Sequence, residues 1–84
     1  MHTQRFVVHN AADLGRTVAE ARHLTGTSQT ELAEITGIPR DYLSRLEGGT
    51  ETLQLARTLA AFRALGVRLE ATLDYESEDE HRHG

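Results

Sequence analysis

The 84-residue sequence contains no cysteine and no tryptophan, a single proline and a single methionine, and its nine Lys and Arg positions are all arginine. Without cysteine there is neither a disulfide framework nor a cysteine-ligated zinc site, so the fold must rest on burial or on a partner chain, and a reducing compartment fits. Aromatic residues are scarce, with only Phe6, Phe62, Tyr42 and Tyr75 set against many aliphatic side chains. That balance favours packed helices over a sheet sandwich. No run of roughly eighteen apolar residues occurs, and residues 1–10 lack the apolar stretch of a signal peptide, so a soluble, cytoplasmic protein is expected. The length allows one domain. An enzyme is not expected, because there is no cysteine, no nucleophile–base spacing and little room for a cleft beside a helical core.

The absence of lysine fits a GC-rich genome, and it also leaves every cation a guanidinium, the group suited to bidentate phosphate and guanine contacts. The net charge of −4 is unevenly spread. Asp74, Glu76, Glu78, Asp79 and Glu80 crowd near the end, whereas residues 1–73 balance eight arginines against eight carboxylates. Residues 75–84 therefore form an acidic tail that is expected to be disordered in isolation. Charge runs at termini serve solubility, and this one is also placed to dock on a partner or to mimic DNA. His81 and His83 lie two residues apart in that tail without further ligands, so no metal site is expected.

Residues 1–11 form an N-terminal arm with a short apolar stretch of strand type at residues 5–8. Asp13 is the expected N-cap of a first helix that starts at Leu14, carries Leu14, Val18 and Ala21 at helical spacing, and stops at Gly26. Ser28 and Glu31 have the spacing of a capping box for a short second helix, with Leu32, Ala33 and Ile35 on its apolar face and Gly37 as its end. Pro39 lacks an N–H and can open a third helix, whose inward residues are Leu43 and Leu46 and whose outward residues are Arg40, Asp41, Ser44 and Arg45. A fourth helix follows Gly48 and Gly49, running to residue 65 with Leu55, Leu59, Phe62 and Leu65 inward and Gly66 as its stop.

After Gly66 the period changes. Val67, Leu69, Ala71 and Leu73 alternate with Arg68, Glu70, Thr72 and Asp74, the two-residue repeat of a half-buried strand. One strand is not stable alone. It must pair with residues 5–8 of the same chain or with its own copy in a second subunit; the second is favoured, which makes residues 67–74 a dimerisation strand.

Two short helices about a glycine turn have the outline of a helix-turn-helix unit, whose second helix lies in the DNA major groove, and an ordinary helical hairpin shares that outline. Residues 27–49, TSQTELAEITGIPRDYLSRLEGG, resemble the Xre/Cro family of lambda-repressor-like DNA-binding domains. The likeness lies in Gln29, the Glu31-Leu32-Ala33 step, Gly37 and the Ser44-Arg45-Leu46-Glu47-x-Gly49 ending. Residues 12–73, with Ala64-Leu65-Gly66 and the alternating strand, resemble the HipB-type antitoxin branch. The resemblance implies an all-α, lambda-repressor-like bundle of four to five helices, with the DNA-binding domain in residues 12–66 and a C-terminal β-strand that pairs across a dimer.

It also implies roles for particular residues. Ser28 and Gln29 contact the DNA backbone; Arg40, Asp41, Ser44 and Arg45 fall on the recognition positions, with Arg40 and Arg45 best suited to guanine. Arg22 and Glu47 occupy the positions of a structural ion pair. Asp41 departs from the uncharged or basic residues usual at its position, and Pro39 replaces the usual Ser or Thr cap. Functionally, the resemblance implies a homodimeric, nucleoid-associated bacterial repressor that binds double-stranded operator DNA without a cofactor and pairs with a HipA-like kinase toxin. Asp41, Pro39 and the negative net charge keep open a protein-interaction module that neutralises a toxin without useful DNA binding. A stand-alone Xre-type repressor is the third possibility.

Overall fold

Glycines and short polar caps divide the chain into six elements, and the computed structural model describes them over residues 1–50 and 52–76. They are β1 (His2–Val8), α1 (Ala11–Thr25), α2 (Gln29–Thr36), α3 (Arg40–Glu47), α4 (Leu53–Leu65) and β2 (Leu69–Tyr75). The all-α expectation is corrected to a mostly helical fold with four helices and a two-stranded antiparallel sheet among the described residues. No helix of the described residues is long and apolar enough to cross a membrane. His81 and His83 and most of the acidic tail lie outside the described residues.

The first helix begins earlier than the polar pattern suggests. Asn10, not Asp13, is the N-cap: its backbone is extended and its side-chain oxygen accepts the Asp13 N–H at 2.8 Å. Asp13 sits in the first turn, where its carboxylate favours the positive helix end, accepts the His9 N–H at 2.9 Å and pairs with Arg16 at 3.2 Å. The shift brings Ala11 into the core with Val8, Leu43 and Leu59, the buried hydrophobic residues.

A close backbone approach joins α1 to α3. A Cβ on Gly15 would lie 1.8 Å from the Leu46 carbonyl oxygen and 2.8 Å from its carbon, so the backbones of the two helices touch where only glycine fits. On α4 only Leu59 is fully buried, with Leu55 and Phe62 half-buried. Leu65, expected inward, is 77% exposed. Six residues past Leu59 it has turned about 120° away from the packed stripe. Ile35, expected on the apolar face of α2, is 76% exposed.

β1 and β2 pair from His2↔Tyr75 to Val8↔Leu69. Leu69, Ala71 and Leu73 are half-buried and alternate with exposed residues, as the period requires. Leu73 meets Val18 and Ala21 of α1 across a shallow apolar groove, so this face of β2 turns towards the helices. β1 supplies within the chain the partner that the sequence suggests β2 finds in a second subunit, because the four helices return the chain beside its own start. The strand is also shifted from residues 67–74: Val67 precedes it and is exposed, whereas Tyr75, assigned to the tail, belongs to it and faces the His2 ring at 5.4 Å. Arg63 donates to the His9 carbonyl at 2.6 Å and ties α4 to the link between β1 and α1.

Candidate nucleic-acid interface

The two helices about Gly37 are shaped by local chemistry at each end. The Ser28 hydroxyl accepts the Glu31 N–H at 3.0 Å while the Glu31 carboxylate accepts the Ser28 N–H at 3.2 Å, the reciprocal box expected from the spacing. Gly37 ends α2 in the left-handed region with φ of 76°, its N–H donating to the Ala33 carbonyl at 2.9 Å. Pro39 is the residue before α3 and not its first residue; its carbonyl accepts from the N–H groups of Tyr42 and Leu43, and no side chain caps the helix. Its fixed φ, here −57°, aims the chain into the first turn without a capping hydroxyl.

Arg22 and Glu47 hold this unit on the scaffold. The Arg22 Nε donates to Glu47 Oε2 and its Nη2 to Oε1, both at 2.6 Å, while Nη1 donates to the Thr27 carbonyl at 3.0 Å. Both side chains are largely shielded, at 12% and 9% exposed. The Arg22 guanidinium, with the Gln29 amide, holds the Glu47 carboxyl below the usual carboxylate range against the opposing effect of burial, and Glu47 raises Arg22 in turn. Every arm of the guanidinium is thus spent on joining α1 to the end of α3 and to the start of α2.

Gln29, assigned by resemblance to the DNA backbone, donates its side-chain amide to Glu47 Oε1 at 3.2 Å and is half-buried. It therefore braces α2 against α3, with one amide hydrogen committed to the protein. Ser28 is exposed, but its hydroxyl oxygen is engaged as the cap.

On α3, Leu43 is only 2% exposed and Leu46 is half-buried, while Arg40, Asp41, Tyr42, Ser44 and Arg45 are exposed. At about 100° per residue, Asp41 and Arg45 lie about 160° from Leu43 on opposite sides, so they form the outermost ridge. Tyr42 and Ser44 flank that ridge, and Arg40 lies nearer the buried side at the helix start. Arg40, Asp41 and Arg45 make no side-chain hydrogen bond or ion pair among the described residues. Two exposed cations without partners among the described residues, one at the start of α3 and one on its outer ridge, suit a polyanion that surrounds the helix.

Sequence reasoning missed two residues of this unit. Tyr42 is exposed beside Arg45 and walls a cleft with Leu46, Thr52 and Leu55, and no periodicity argument singled it out. Gly15 sets the distance of α3 from α1; its signal was present as a glycine inside a helix, where it costs about 1 kcal/mol relative to alanine unless a close contact requires it.

A protein family described as a helix-turn-helix domain matches residues 13–74, which takes in the capped helix pair, the ion pair and nearly all of β2. No curated protein and no solved structure matches the chain. The match covers most of the sequence and the whole of the helix pair with its ion pair, so the chain belongs to the helix-turn-helix domain family, which is related to Xre/Cro-like repressors.

Proposed function

We propose that this chain is a sequence-specific DNA-binding repressor that acts as a homodimer on its own operon. The observation that carries the reading is that α3 exposes Arg45 on its outermost ridge and Arg40 at its start, neither with a hydrogen-bond or ion-pair partner among the described residues, on a helix fastened by the Arg22–Glu47 pair. Insertion of α3 into the major groove brings Arg40, Asp41, Ser44 and Arg45 to base edges or adjacent phosphates, and Ser28 and Gln29 to the flanking backbone at the start of α2.

A homodimer is supported by the small core and the exposure of Leu53, Leu65 and Val67, and by a sheet that has only two strands among the described residues. Two copies related by a two-fold axis place their α3 helices in successive major grooves, roughly 34 Å apart. The HipB-type resemblance extends the proposal to an antitoxin that binds a HipA-like kinase toxin away from the DNA-reading face, a partner that rests on family analogy. A DNA-bound protein of the bacterial cytoplasm follows from the same reading.

The test is binding of the full chain to the DNA upstream of its own gene at several salt concentrations, beside an Arg40→Ala/Arg45→Ala variant. Affinity should fall steeply with salt, at a log–log slope of about −0.9 per phosphate contact, and the variant should lose most of it. A folded wild-type protein that binds no DNA at low salt refutes the repressor and leaves an interaction module. Co-purification with the product of the adjacent gene, and loss of kinase activity on binding, tests the antitoxin role.

A further inference from the structure

We infer that Asp41 reads a cytosine, one or two base pairs from the guanine read by Arg45, so that each operator half-site carries this C and G together; the assignment rests on the DNA-binding reading above. Asp41 and Arg45 are the two side chains of α3 farthest round from buried Leu43, and they sit four residues apart on one ridge. An aspartate and an arginine at this spacing commonly pair along a helix. Here neither bonds the other, and Asp41 does not bond Arg40. The carboxylate is therefore not employed in orienting a neighbouring guanidinium in the free protein, and it reaches the groove as an acceptor with no donor.

Such a carboxylate, brought among phosphates, must meet a donor or it opposes binding. Base edges in the major groove offer two amino groups. Adenine N6 is flanked by the N7 acceptor of the same base, which repels the second carboxylate oxygen, whereas cytosine N4 is the partner that an aspartate accepts from. Arginine donates to guanine O6 and N7. One helical turn advances about 5.4 Å and one base pair about 3.4 Å, which sets the spacing of one to two base pairs when α3 lies along the groove. Asp41 thus acts by selection: it rejects DNA in which no amino group stands at its position.

The experiment is selection of duplexes from a random pool by the full-length wild type, Asp41→Asn and Asp41→Ala, followed by affinity measurement on the wild-type consensus. Asp41 is exposed and makes no hydrogen bond or ion pair among the described residues, so both variants should fold with the wild-type circular dichroism, their melting point lowered only slightly by loss of a carboxylate from the first turn of α3. The wild-type consensus should hold C and G at this spacing in each half-site. Asn donates to adenine N7 and accepts from N6, so Asp41→Asn should exchange that C for A and leave other positions unchanged. Its affinity for the wild-type consensus should fall by about 5- to 150-fold, and Asp41→Ala should lose preference at that position alone. A wild-type consensus without the C, or an Asp41→Asn consensus identical to the wild type with uniformly tighter binding, overturns the inference and makes Asp41 a purely repulsive charge. A wild type that enriches no sequence overturns the DNA-binding reading itself, so the two failures are distinguishable.

Discussion

Replacing Gly15 by alanine tests whether the α1–α3 contact organises this domain. The added methyl would sit 1.8 Å from the Leu46 carbonyl oxygen, with the Leu46 carbon at 2.8 Å and Glu47 Cα at 3.2 Å. Ordinary carbon–oxygen contact requires well over 3 Å, so the helices must part by about 1 Å or more. Alanine contributes about 1 kcal/mol of helix propensity in its favour. Against this stand about 1 to 3 kcal/mol of overpacking and the strain on Glu47, the next residue along α3, whose bidentate geometry to Arg22 cannot survive the shift unchanged. Propensity and overpacking together leave a net loss of about 0 to 2 kcal/mol, and loosening of the Glu47–Arg22 pair adds about 1 kcal/mol, so the net expectation is a loss of about 1 to 3 kcal/mol. For a domain of this size that lowers Tm by about 4 to 24 °C, at roughly 4 to 8 °C per kcal/mol. Thermal and urea unfolding monitored by circular dichroism reads the change directly. Ala60→Gly, at an exposed position of α4, calibrates the propensity contribution and should cost about 1 kcal/mol. A Gly15→Ala protein that melts at or above the wild-type temperature would refute the close contact and the role given to Gly15.

Removing the Glu47 carboxylate by Glu47→Ala should cost about 3 to 5 kcal/mol, because Arg22 is left shielded from water without its counter-ion, and denaturant midpoints with unchanged m-values would show it. Because the folded Glu47 pKa lies below its usual value of about 4.5, the stability it contributes is present above that value and is lost as pH falls through the lower folded pKa. Acid titration of stability should therefore show a component in this window that Glu47→Gln lacks; identical acid limbs in the two proteins would remove the pair from the account. Asn10→Ala should cost about 0.5 to 2 kcal/mol by unbinding the Asp13 N–H, and amide exchange at the first turn of α1 should quicken. If exchange there is unaltered, Asn10 is not the cap.

The sequence by itself determined the features that close within four residues. The Ser28–Glu31 box, the glycine stops at Gly26, Gly37 and Gly66, and the inward placement of Leu43 are local hydrogen bonds, backbone preferences and helical period, and each lies where the pattern put it. The Arg22–Glu47 pair was legible only by resemblance, since twenty-five residues separate the partners. Where two local solutions compete, as for Asn10 and Asp13 at the start of α1, pattern alone chose the wrong one, because both side chains engage N–H groups in the same turn.

Only the tertiary structure decided the rest. The alternation of β2 specified a strand but not its partner, and the in-chain pairing with β1 depends on how four helices bring distant ends together. The exposure of Leu65 and Ile35 depends on which stripe of each helix finds a surface to cover it. The engagement of the Gln29 amide by Glu47, and the freedom of Asp41 and Arg45, follow from the orientation of α3 that Gly15 permits. Period and capping are properties of neighbouring residues, whereas partner choice and burial are properties of the space between elements, which no local pattern encodes.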